Sequence, residues 1–161
     1  MSLAATRGQL RVAVAVCALW IAAAPVRGAV RYIAVVASAE SKLAGVTIAE
    51  LAKLCQGTMG AWPDGKSFTL VMKDPETPEM HLAVKKLFGV EPAAAKAAIT
   101  KVNAERKTVL IVESDDQVLR TVAATPGAVG LVDVYAINRS VKVLHVDGKL
   151  PFEIGYTLRG N

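Results

Sequence analysis

The chain has 161 residues, with 19 lysines and arginines against 14 acidic residues and a formal net charge of +5 at neutral pH. Three basic residues and no acidic ones lie in the first 28 residues, which leaves 16 against 14 and a charge of +2 for the rest. This small charge, with no arginine-rich run and no aromatic stacking platform, predicts that nucleic acid is not a partner. The length beyond residue 28 suffices for one domain with one hydrophobic core.

The first 28 residues have the three-part pattern of a secretory signal peptide. Arg7 and Arg11 make a basic start, an apolar run covers residues 12–24, and small residues lead up to Gly28. The apolar run is shorter than the roughly 20 residues that a membrane-spanning helix needs. We therefore predict cleavage after Gly28 and a mature domain of residues 29–161 that is periplasmic or secreted.

The two cysteines and two histidines point to neither a disulfide nor a metal site. Cys17 leaves a lipoprotein as an alternative to cleavage after Gly28, although Val16 is larger than the residue that usually precedes a lipidated cysteine. Cys55 would be alone after cleavage, and its place on the apolar stripe of a predicted helix favours a buried, unreactive thiol. His81 and His145 are far apart in the sequence and pair with no nearby ligand. We expect no metal ion, and no motif calls for a cofactor.

Strands and helices are predicted to alternate along the first half of the mature chain. Runs of β-branched and other apolar residues mark strands at 31–37, 68–72 and 108–112. Thr47 and Glu50 have the spacing of a capping box at a helix start. Apolar residues then recur at helical spacing from Ile48 to Cys55. The sequence Trp-Pro-Asp-Gly at residues 62–65 predicts a tight turn before the second strand.

Two further helices are predicted between the second and third strands. Thr77 followed by Pro78 predicts an N-cap and a first helical position, and Gly89 should end that helix. Pro92 opens a second helical segment whose apolar residues again recur at helical spacing. This order places the loop around Thr77 directly after the second strand.

The second half of the chain predicts a mixed sheet. Residues 108–112 are continuously apolar, as expected for a strand covered on both faces. Ser114 and Gln117 have the spacing of a second capping box. Asp147-Gly148 predicts a hairpin turn that leads to a last strand at 153–158. Further strands are predicted at residues 128–132 and 141–146. Helices alternating with strands and a final hairpin indicate one α/β domain whose sheet is mixed.

Several of these segments together resemble one lobe of the phosphate-binding receptors of bacterial ABC transporters, which are type 2 periplasmic binding proteins. The likeness includes a short capped helix, a Gly-x-x-x-x-Trp-x-Asp-Gly turn and a Thr-Pro-Gly-Ala-Val-Gly segment. These features fall at residues 46–65, 114–118, 122–132 and 143–151. The resemblance covers nearly all of residues 30–158. It implies an α/β lobe with a mixed sheet and helices on both faces.

The resemblance also implies an exported receptor for phosphate or a related oxyanion that works with an ABC transporter permease. Such receptors hold the oxyanion with backbone N–H groups and hydroxyls at helix starts, where unsatisfied donors and the helix dipole favour negative charge. The resemblance and the strand ends point to Lys73, Thr77 and Ser114 as contacts. Ser38, just after the first strand, is a further candidate because ligands collect beyond the carboxyl ends of strands in such sheets.

Two departures from the family keep a second interpretation open. The loop reads Glu76-Thr77-Pro78 where the receptors carry Ser-Gly-Thr, so one N–H donor is lost and a negative charge is added. The mature chain is also long enough for only one lobe. The alternative is a ligand-free interaction module that pairs with a partner protein or with itself. An enzyme is not expected, because no nucleophile elbow, HExxH motif, P-loop or Cys/His pair is present.

Overall fold

A computed structural model describes residues 29–160, and the predicted signal peptide therefore lies outside the described residues. The strands of this part are β1 Arg31–Ser38, β2 Gly45–Val46, β3 Thr69–Lys73, β4 Val109–Val112, β5 Ala128–Asp133, β6 Val141–Val143, β7 His145–Val146 and β8 Arg159–Gly160. The α-helices are α1 Ile48–Cys55, α2 His81–Ala83, α3 Ala95–Arg106 and α4 Asp115–Ala124. A π-helical turn, Val84–Phe88, continues α2, and 3-10 turns cover Pro92–Ala94 and Val134–Ala136. None of the helices within residues 29–160 is long and apolar enough to cross a membrane.

One mixed sheet positions the rest of the domain. Its strand order is β4-β3-β5-β1-β6, and β8 pairs with the start of β1. Strand β3 is parallel to both β4 and β5, whereas β1 is antiparallel to β5 and β6. The carboxyl ends of β3, β4 and β5 and the start of β1 therefore lie along one edge of the sheet. We call this edge, marked by Lys73, Val112, Asp133 and Arg31, the upper edge.

Helices cover both faces of the sheet, as the sequence resemblance implied. Alternate side chains of a strand point to opposite faces, so Val35 belongs to one apolar cluster and Val36 to the other. The larger cluster includes Leu51 of α1, Leu87 of the π-helical turn and Ile99 of α3. The smaller cluster is closed by α4, through Val118, Leu119 and Val122.

Helix α1 has the ends that the sequence predicted. The Thr47 hydroxyl accepts from the Glu50 N–H at 3.1 Å, and the Glu50 carboxylate accepts from the Thr47 N–H at 2.9 Å. The capping box is therefore confirmed. Cys55, in the last turn, is completely buried. Burial raises the pKa of its thiol well above the ordinary value, which keeps the thiol protonated and unreactive.

Strand β4 lies at the edge of the sheet, and two successive residues that point to opposite faces are exposed, so the prediction of a strand covered on both faces is wrong. Leu110 is 44% exposed and Ile111 is 40% exposed. Val109 and the preceding Thr108 are buried. A continuous apolar run does not distinguish a central strand from an edge strand, since the order of strands in the sheet is set by long-range pairing.

The end of the chain also differs from the prediction. Asp147 and Gly148 have φ values of 50° and 76° and form the predicted turn between β7 and Lys149. Residues 151–158 form successive turns rather than the predicted last strand, and the final pairing is made by β8. The predicted strand at 141–146 is divided into β6 and β7, and β7 pairs with β2 instead of the main sheet.

Candidate oxyanion site at the upper edge

Three of the four predicted contact residues lie together. Lys73 ends β3, Thr77 lies in the loop that follows it, and Ser114 comes directly after β4. All three line one cleft of about 430 Å³ at the upper edge. The reason is topological, because β3 and β4 are parallel neighbours and their carboxyl ends meet. Ligand binding by these residues remains a prediction.

Two carboxylates hold the Lys73 ammonium group. Its Nζ lies 3.0 Å from Glu79 Oε1 and 2.9 Å from Asp115 Oδ2, and the Lys73 side chain is only 13% exposed. Partial burial alone would lower the pKa of Lys73, but the hydrogen bonds and charges of Asp115 and Glu79 outweigh burial and raise it. The pKa of Glu79 is lowered, first by a hydrogen bond from its own backbone N–H and further by Lys73. Lys73 therefore keeps one of its three donors for a ligand.

Thr77 does not cap a helix, which corrects the sequence prediction. The N-cap of α2 is Met80, and no side chain caps that helix. The Thr77 hydroxyl instead donates to the carbonyl oxygen of Asp74 at 2.8 Å. The Thr77 N–H bonds the same carbonyl at 3.1 Å, so residues 74–77 form a turn. The hydroxyl of Thr77 can consequently offer a ligand only its oxygen lone pairs.

Ser114 caps α4, and this part of the prediction is confirmed. Its hydroxyl oxygen accepts from the Gln117 N–H at 3.3 Å, which leaves the hydroxyl hydrogen free to donate. The Gln117 side chain bonds the N–H of Glu113 rather than that of Ser114, at 2.9 Å. The arrangement is therefore half of the predicted capping box. The first N–H groups of a helix have no intrahelical partner, so Ser114 stands beside further donors.

Ser38 lies away from the other three candidates. Strand β1 runs antiparallel to β5, so its carboxyl end points to the edge opposite Lys73 and Ser114. Ser38 lines a different cavity of about 620 Å³, together with Trp62 and Gly127. The expectation that Ser38 joins a common site assumed that β1 runs parallel to β3, and that assumption is wrong.

The charge of Glu76 is directed away from the cleft. Its carboxylate lies 2.7 Å from Lys96 Nζ on α3, and the same ammonium group lies 3.0 Å from Asp74. Glu76 is not among the cleft-lining residues. The negative charges that do line the cleft are Asp74, Glu79, Glu113 and Asp115. Lys73 pairs with Glu79 and Asp115, and Lys96 pairs with Asp74, so the cleft keeps an excess of negative charge.

Glu79 and Asp115 are the residues of this site that sequence reasoning missed. Asp115 was visible as an acid at a helix start, where it favours the helix dipole. Its Oδ2 instead bonds Lys73, and its Oδ1 accepts from the N–H of Asp133 at 3.4 Å. Asp115 thus connects the ends of β3 and β5. Nothing in the local spacing reveals this contact, because Lys73 and Asp115 are 42 residues apart.

Among the described residues, no group of three or more His, Cys, Asp and Glu side chains is arranged to hold a metal ion. Three of the acidic residues of the cleft, Asp74, Glu79 and Asp115, form ion pairs with lysines. The site offers one ammonium donor, the Ser114 hydroxyl and the first N–H groups of α4 to an oxyanion. It offers carboxylate oxygens to any hydroxyl group that the ligand carries.

The fold is that of one lobe of a type 2 periplasmic binding protein of the phosphate-receptor kind. No protein-family model and no curated protein sequence matches the chain. Among solved structures, it is similar to an ABC-type phosphate transport receptor from Vibrio cholerae, with a TM-score of 0.64 and 17% identity over 81% of this chain. It is also similar to PstS from Borrelia burgdorferi, with a TM-score of 0.61 and 19% identity over 82% of this chain.

A third similar structure is a putative phosphate ABC transporter substrate-binding protein from Clostridium perfringens with bound phosphate, with a TM-score of 0.56 and 13% identity over 74% of this chain. The chain spans about half of these proteins, namely 54%, 55% and 46% of their lengths. Identities this low establish the fold alone. Two of these proteins are named as a transport receptor and a substrate-binding protein.

Proposed function

We propose that this chain is an exported solute-binding protein for phosphate or a related oxyanion. The observation that carries the proposal is the convergence of Lys73, Thr77 and Ser114 on one cleft of a phosphate-receptor lobe. The Lys73 ammonium and the Ser114 hydroxyl would each donate one hydrogen bond to the ligand. The start of α4 would add backbone N–H groups and the favourable end of its dipole.

The carboxylates of the cleft favour a protonated oxyanion. Glu79 and Asp115 repel a fully ionised ligand, but a carboxylate accepts a hydrogen bond from an O–H group. Hydrogen phosphate carries such a group at neutral pH, and sulfate does not. We therefore expect phosphate to bind more tightly than sulfate or molybdate. The cleft is open to water, which weakens each charged contact, so we expect an affinity in the millimolar range.

Export and transport belong to the same proposal. The basic, apolar and small-residue order of residues 1–28 supports export and release of residues 29–161. The similar solved proteins are named as ABC-type phosphate receptors, which supports an ABC transporter permease as partner. Mass spectrometry of the protein purified from the periplasm or medium of expressing cells tests the cleavage site. A protein retained in the cytoplasm with its first residue intact would contradict export.

Isothermal titration with phosphate, sulfate and molybdate tests the ligand. A gain-of-function variant sharpens this test, since Glu79→Gln removes one repelling charge and frees a donor of Lys73. A unit charge at about 4 Å in water contributes about 1 kcal/mol, so phosphate should bind about fivefold more tightly to this variant. The matched control is Glu105→Gln, which removes an exposed charge at the end of α3 and should leave the affinity unchanged.

The oxyanion proposal is overturned if neither the unmodified protein nor Glu79→Gln gives heat or a thermal shift with millimolar phosphate. Equal strengthening by Glu79→Gln and Glu105→Gln would also contradict it, because only general charge would then matter. Ser114→Ala provides a second check, since it should weaken phosphate binding in both backgrounds.

A second candidate function is the ligand-free interaction module, which pairs with a partner protein or with itself. The two ion pairs of Lys73 favour it, because they satisfy most of the donor capacity of the one cation among the described residues that line the cleft. The titration above separates the two functions. A phosphate heat that depends on Glu79 and Ser114 supports the receptor, and its absence favours the interaction module.

A further inference from the structure

Three of the four carboxylates that line the Lys73 cleft are already paired within the protein. Asp115 uses one oxygen for Lys73 and the other for a backbone N–H, and Glu79 holds the same ammonium group. Asp74 accepts from a backbone N–H at 2.9 Å and lies 3.0 Å from Lys96 Nζ. These contacts leave little of the three carboxylates for a ligand.

Glu113 carries the fourth carboxylate of the cleft. It is exposed, and within residues 29–160 its side chain has neither an ion pair nor a hydrogen bond. The Gln117 side chain fixes its position by accepting from the Glu113 N–H at 2.9 Å. Glu113 directly precedes Ser114, so their Cα atoms are about 3.8 Å apart. An unpaired negative charge therefore stands beside the donors that the proposed oxyanion would use.

A phosphate ion alone makes incomplete use of this cleft. The start of α4 attracts it, but the excess negative charge of the cleft repels it. The cleft of about 430 Å³ has the size of sites for small organic molecules, whereas phosphate has only five heavy atoms. Ile111, which is 40% exposed, gives the cleft an apolar wall. A ligand with a cationic end and a short hydrocarbon linker would use all of these features.

We propose that the cleft takes a zwitterionic phosphate or phosphonate, in which a short linker joins the oxyanion to an ammonium group. The oxyanion accepts from the Ser114 hydroxyl, the first N–H groups of α4 and the remaining donor of Lys73. The ammonium group bonds Glu113, and the linker lies beside Ile111. O-phosphoethanolamine is a compound of this class. The inference rests on the proposed function and names the substrate class of the same site.

An ammonium group suits Glu113 better than the O–H group of hydrogen phosphate does. It carries a positive charge and three donors, and hydrogen bonds between charged groups are stronger than those of neutral donors. The ammonium group also lowers the net negative charge of the ligand by one. The repulsion from Glu79 and Asp115 is therefore smaller for the zwitterion than for phosphate.

Isothermal titration with matched ligands tests the substrate class. Ethyl phosphate has the linker and the oxyanion of O-phosphoethanolamine without the ammonium group, and ethanolamine has no phosphate. We expect O-phosphoethanolamine to bind about fivefold more tightly than ethyl phosphate, the effect of one added charge pair at about 4 Å in water. Ethanolamine should give no heat at the same concentration. Ethanolamine binding as tight as that of O-phosphoethanolamine would define a cation site and overturn the proposal.

Glu113→Gln should change the affinities for two ligands in opposite directions. It should weaken O-phosphoethanolamine binding and strengthen phosphate binding, because the same charge attracts an ammonium group and repels an anion. Glu105→Gln, which removes an exposed acid at the end of α3, should change neither affinity. Ser114→Ala should weaken both ligands, since they share the oxyanion contacts.

The results separate this inference from the proposed function. If phosphate binds but O-phosphoethanolamine binds no better than ethyl phosphate, the zwitterion is wrong and the phosphate receptor stands. A Glu113→Gln variant that shifts both ligands in the same direction also overturns the zwitterion. The absence of heat with phosphate and with both esters overturns the receptor itself.

The zwitterion has two sources, because phosphoethanolamine is also the headgroup of phosphatidylethanolamine. Flotation with vesicles of phosphatidylethanolamine and phosphatidylcholine, compared with phosphatidylcholine alone, separates the lipid from the free ester. Binding to the ethanolamine vesicles that Glu113→Gln abolishes assigns the headgroup. Binding of the free ester without vesicle binding assigns a solute. Both results support the zwitterion site, and binding to neither form overturns it.

Discussion

The indole N–H of Trp62 donates to the carbonyl oxygen of Gly127 at 2.8 Å. This bond joins the tryptophan turn to the Thr-Pro-Gly turn, which are two of the stretches that carry the family resemblance. Trp62 is only 6% exposed, and its ring meets that of Phe68 edge to face at 5.3 Å. Gly127 has a φ of 80°, and a Cβ there would lie 2.4 Å from the carbonyl oxygen of Ser67. The hydrogen bond of Trp62 and the close approach of Gly127 to Ser67 therefore hold the two turns against each other.

Replacing the indole by a ring without a donor should destabilise the lobe. Trp62→Phe removes the hydrogen bond and leaves the carbonyl of Gly127 unpaired in a partly buried place. Such losses cost about 1–3 kcal/mol, and we expect about 2 kcal/mol in the free energy of unfolding by urea. Tyr135→Phe is the control, since its ring is exposed and its effect should be near zero. Equal stability of Trp62→Phe and the unmodified protein would show that the bond contributes nothing.

Local features of the fold were largely visible in the sequence. The capping box of Thr47 and the N-cap of Ser114 are set by residues within one turn of each other. The tight turn after Trp62 is closed by the Gly65 N–H, which donates to the Trp62 carbonyl at 2.9 Å. The position of Lys73, Thr77 and Ser114 at one edge followed from the parallel order of β3 and β4. These predictions needed only short-range chemistry and the rules of parallel sheets.

The remaining differences arise from long-range pairing. Ser38 was misplaced because the direction of β1 is decided by its antiparallel pairing with β5, about a hundred residues away. The partners of Lys73 were missed because Asp115 reaches it across the sheet edge. The apolar run at 108–112 was predicted to be covered on both faces, whereas Leu110 and Ile111 are exposed in the structure. The spacing of residues within a short stretch of sequence cannot predict these long-range contacts.

The outer side of β4 is protected by the side chain of Asn103 on α3. Its Nδ2 donates to the carbonyl of Val109 at 2.8 Å, and its Oδ1 accepts from the Val109 N–H at 2.9 Å. The amide thus occupies backbone groups that a neighbouring strand would otherwise use. At the end of the strand, the Gln117 side chain does the same for the N–H of Glu113. Exposed strand edges without such protection pair readily with other chains.

Removing this protection should have two effects. Asn103→Ala loses two hydrogen bonds, so we expect the free energy of unfolding to fall by about 1–2 kcal/mol. It also opens β4, so light scattering should detect concentration-dependent association that Leu110→Lys suppresses. The control is Thr100→Ala on the same helix, because the Thr100 hydroxyl bonds only the exposed carbonyl of Lys96. An Asn103→Ala protein that stays as soluble and stable as the control would contradict the protective role.

Gly130 determines how closely α4 approaches the sheet. A Cβ at this position would lie 2.6 Å from Val118 Cγ1, 2.8 Å from Val122 Cγ2 and 3.2 Å from Val36 Cγ2. Gly130→Ala should therefore lower the free energy of unfolding by about 1–3 kcal/mol through overpacking. Adding Val118→Ala should recover part of the loss by making room for the methyl group. If the double variant is destabilised by the full sum of the single effects, the proposed clash is not the cause.

The ion pairs of Lys73 should make stability depend on pH in a defined window. The lowered pKa of Glu79 means that its contribution is present above the unfolded pKa and is lost as pH falls through the folded one. The raised pKa of Lys73 means that its contribution is complete below the unfolded pKa and is lost as pH rises through the folded one. With ordinary pKa values near 4.3 and 10.4, the pairs stabilise the lobe between about pH 5 and pH 10.

Lys73→Met tests this window. At neutral pH the variant leaves Glu79 and Asp115 close together, 23% and 21% exposed, without their cation. Removing one partner of a fully buried pair costs 3–5 kcal/mol, and partial exposure reduces the expected loss to about 2 kcal/mol. The difference from the unmodified protein should shrink as the pH falls through the lowered pKa of Glu79, because a protonated carboxyl group no longer needs the cation. Lys66→Met is the matched control, since its pair with Asp64 is more than half exposed and should contribute little to stability. Urea unfolding from pH 3 to pH 9 measures both variants, and a loss for Lys73→Met that does not change with pH would exclude the ion pairs as its source.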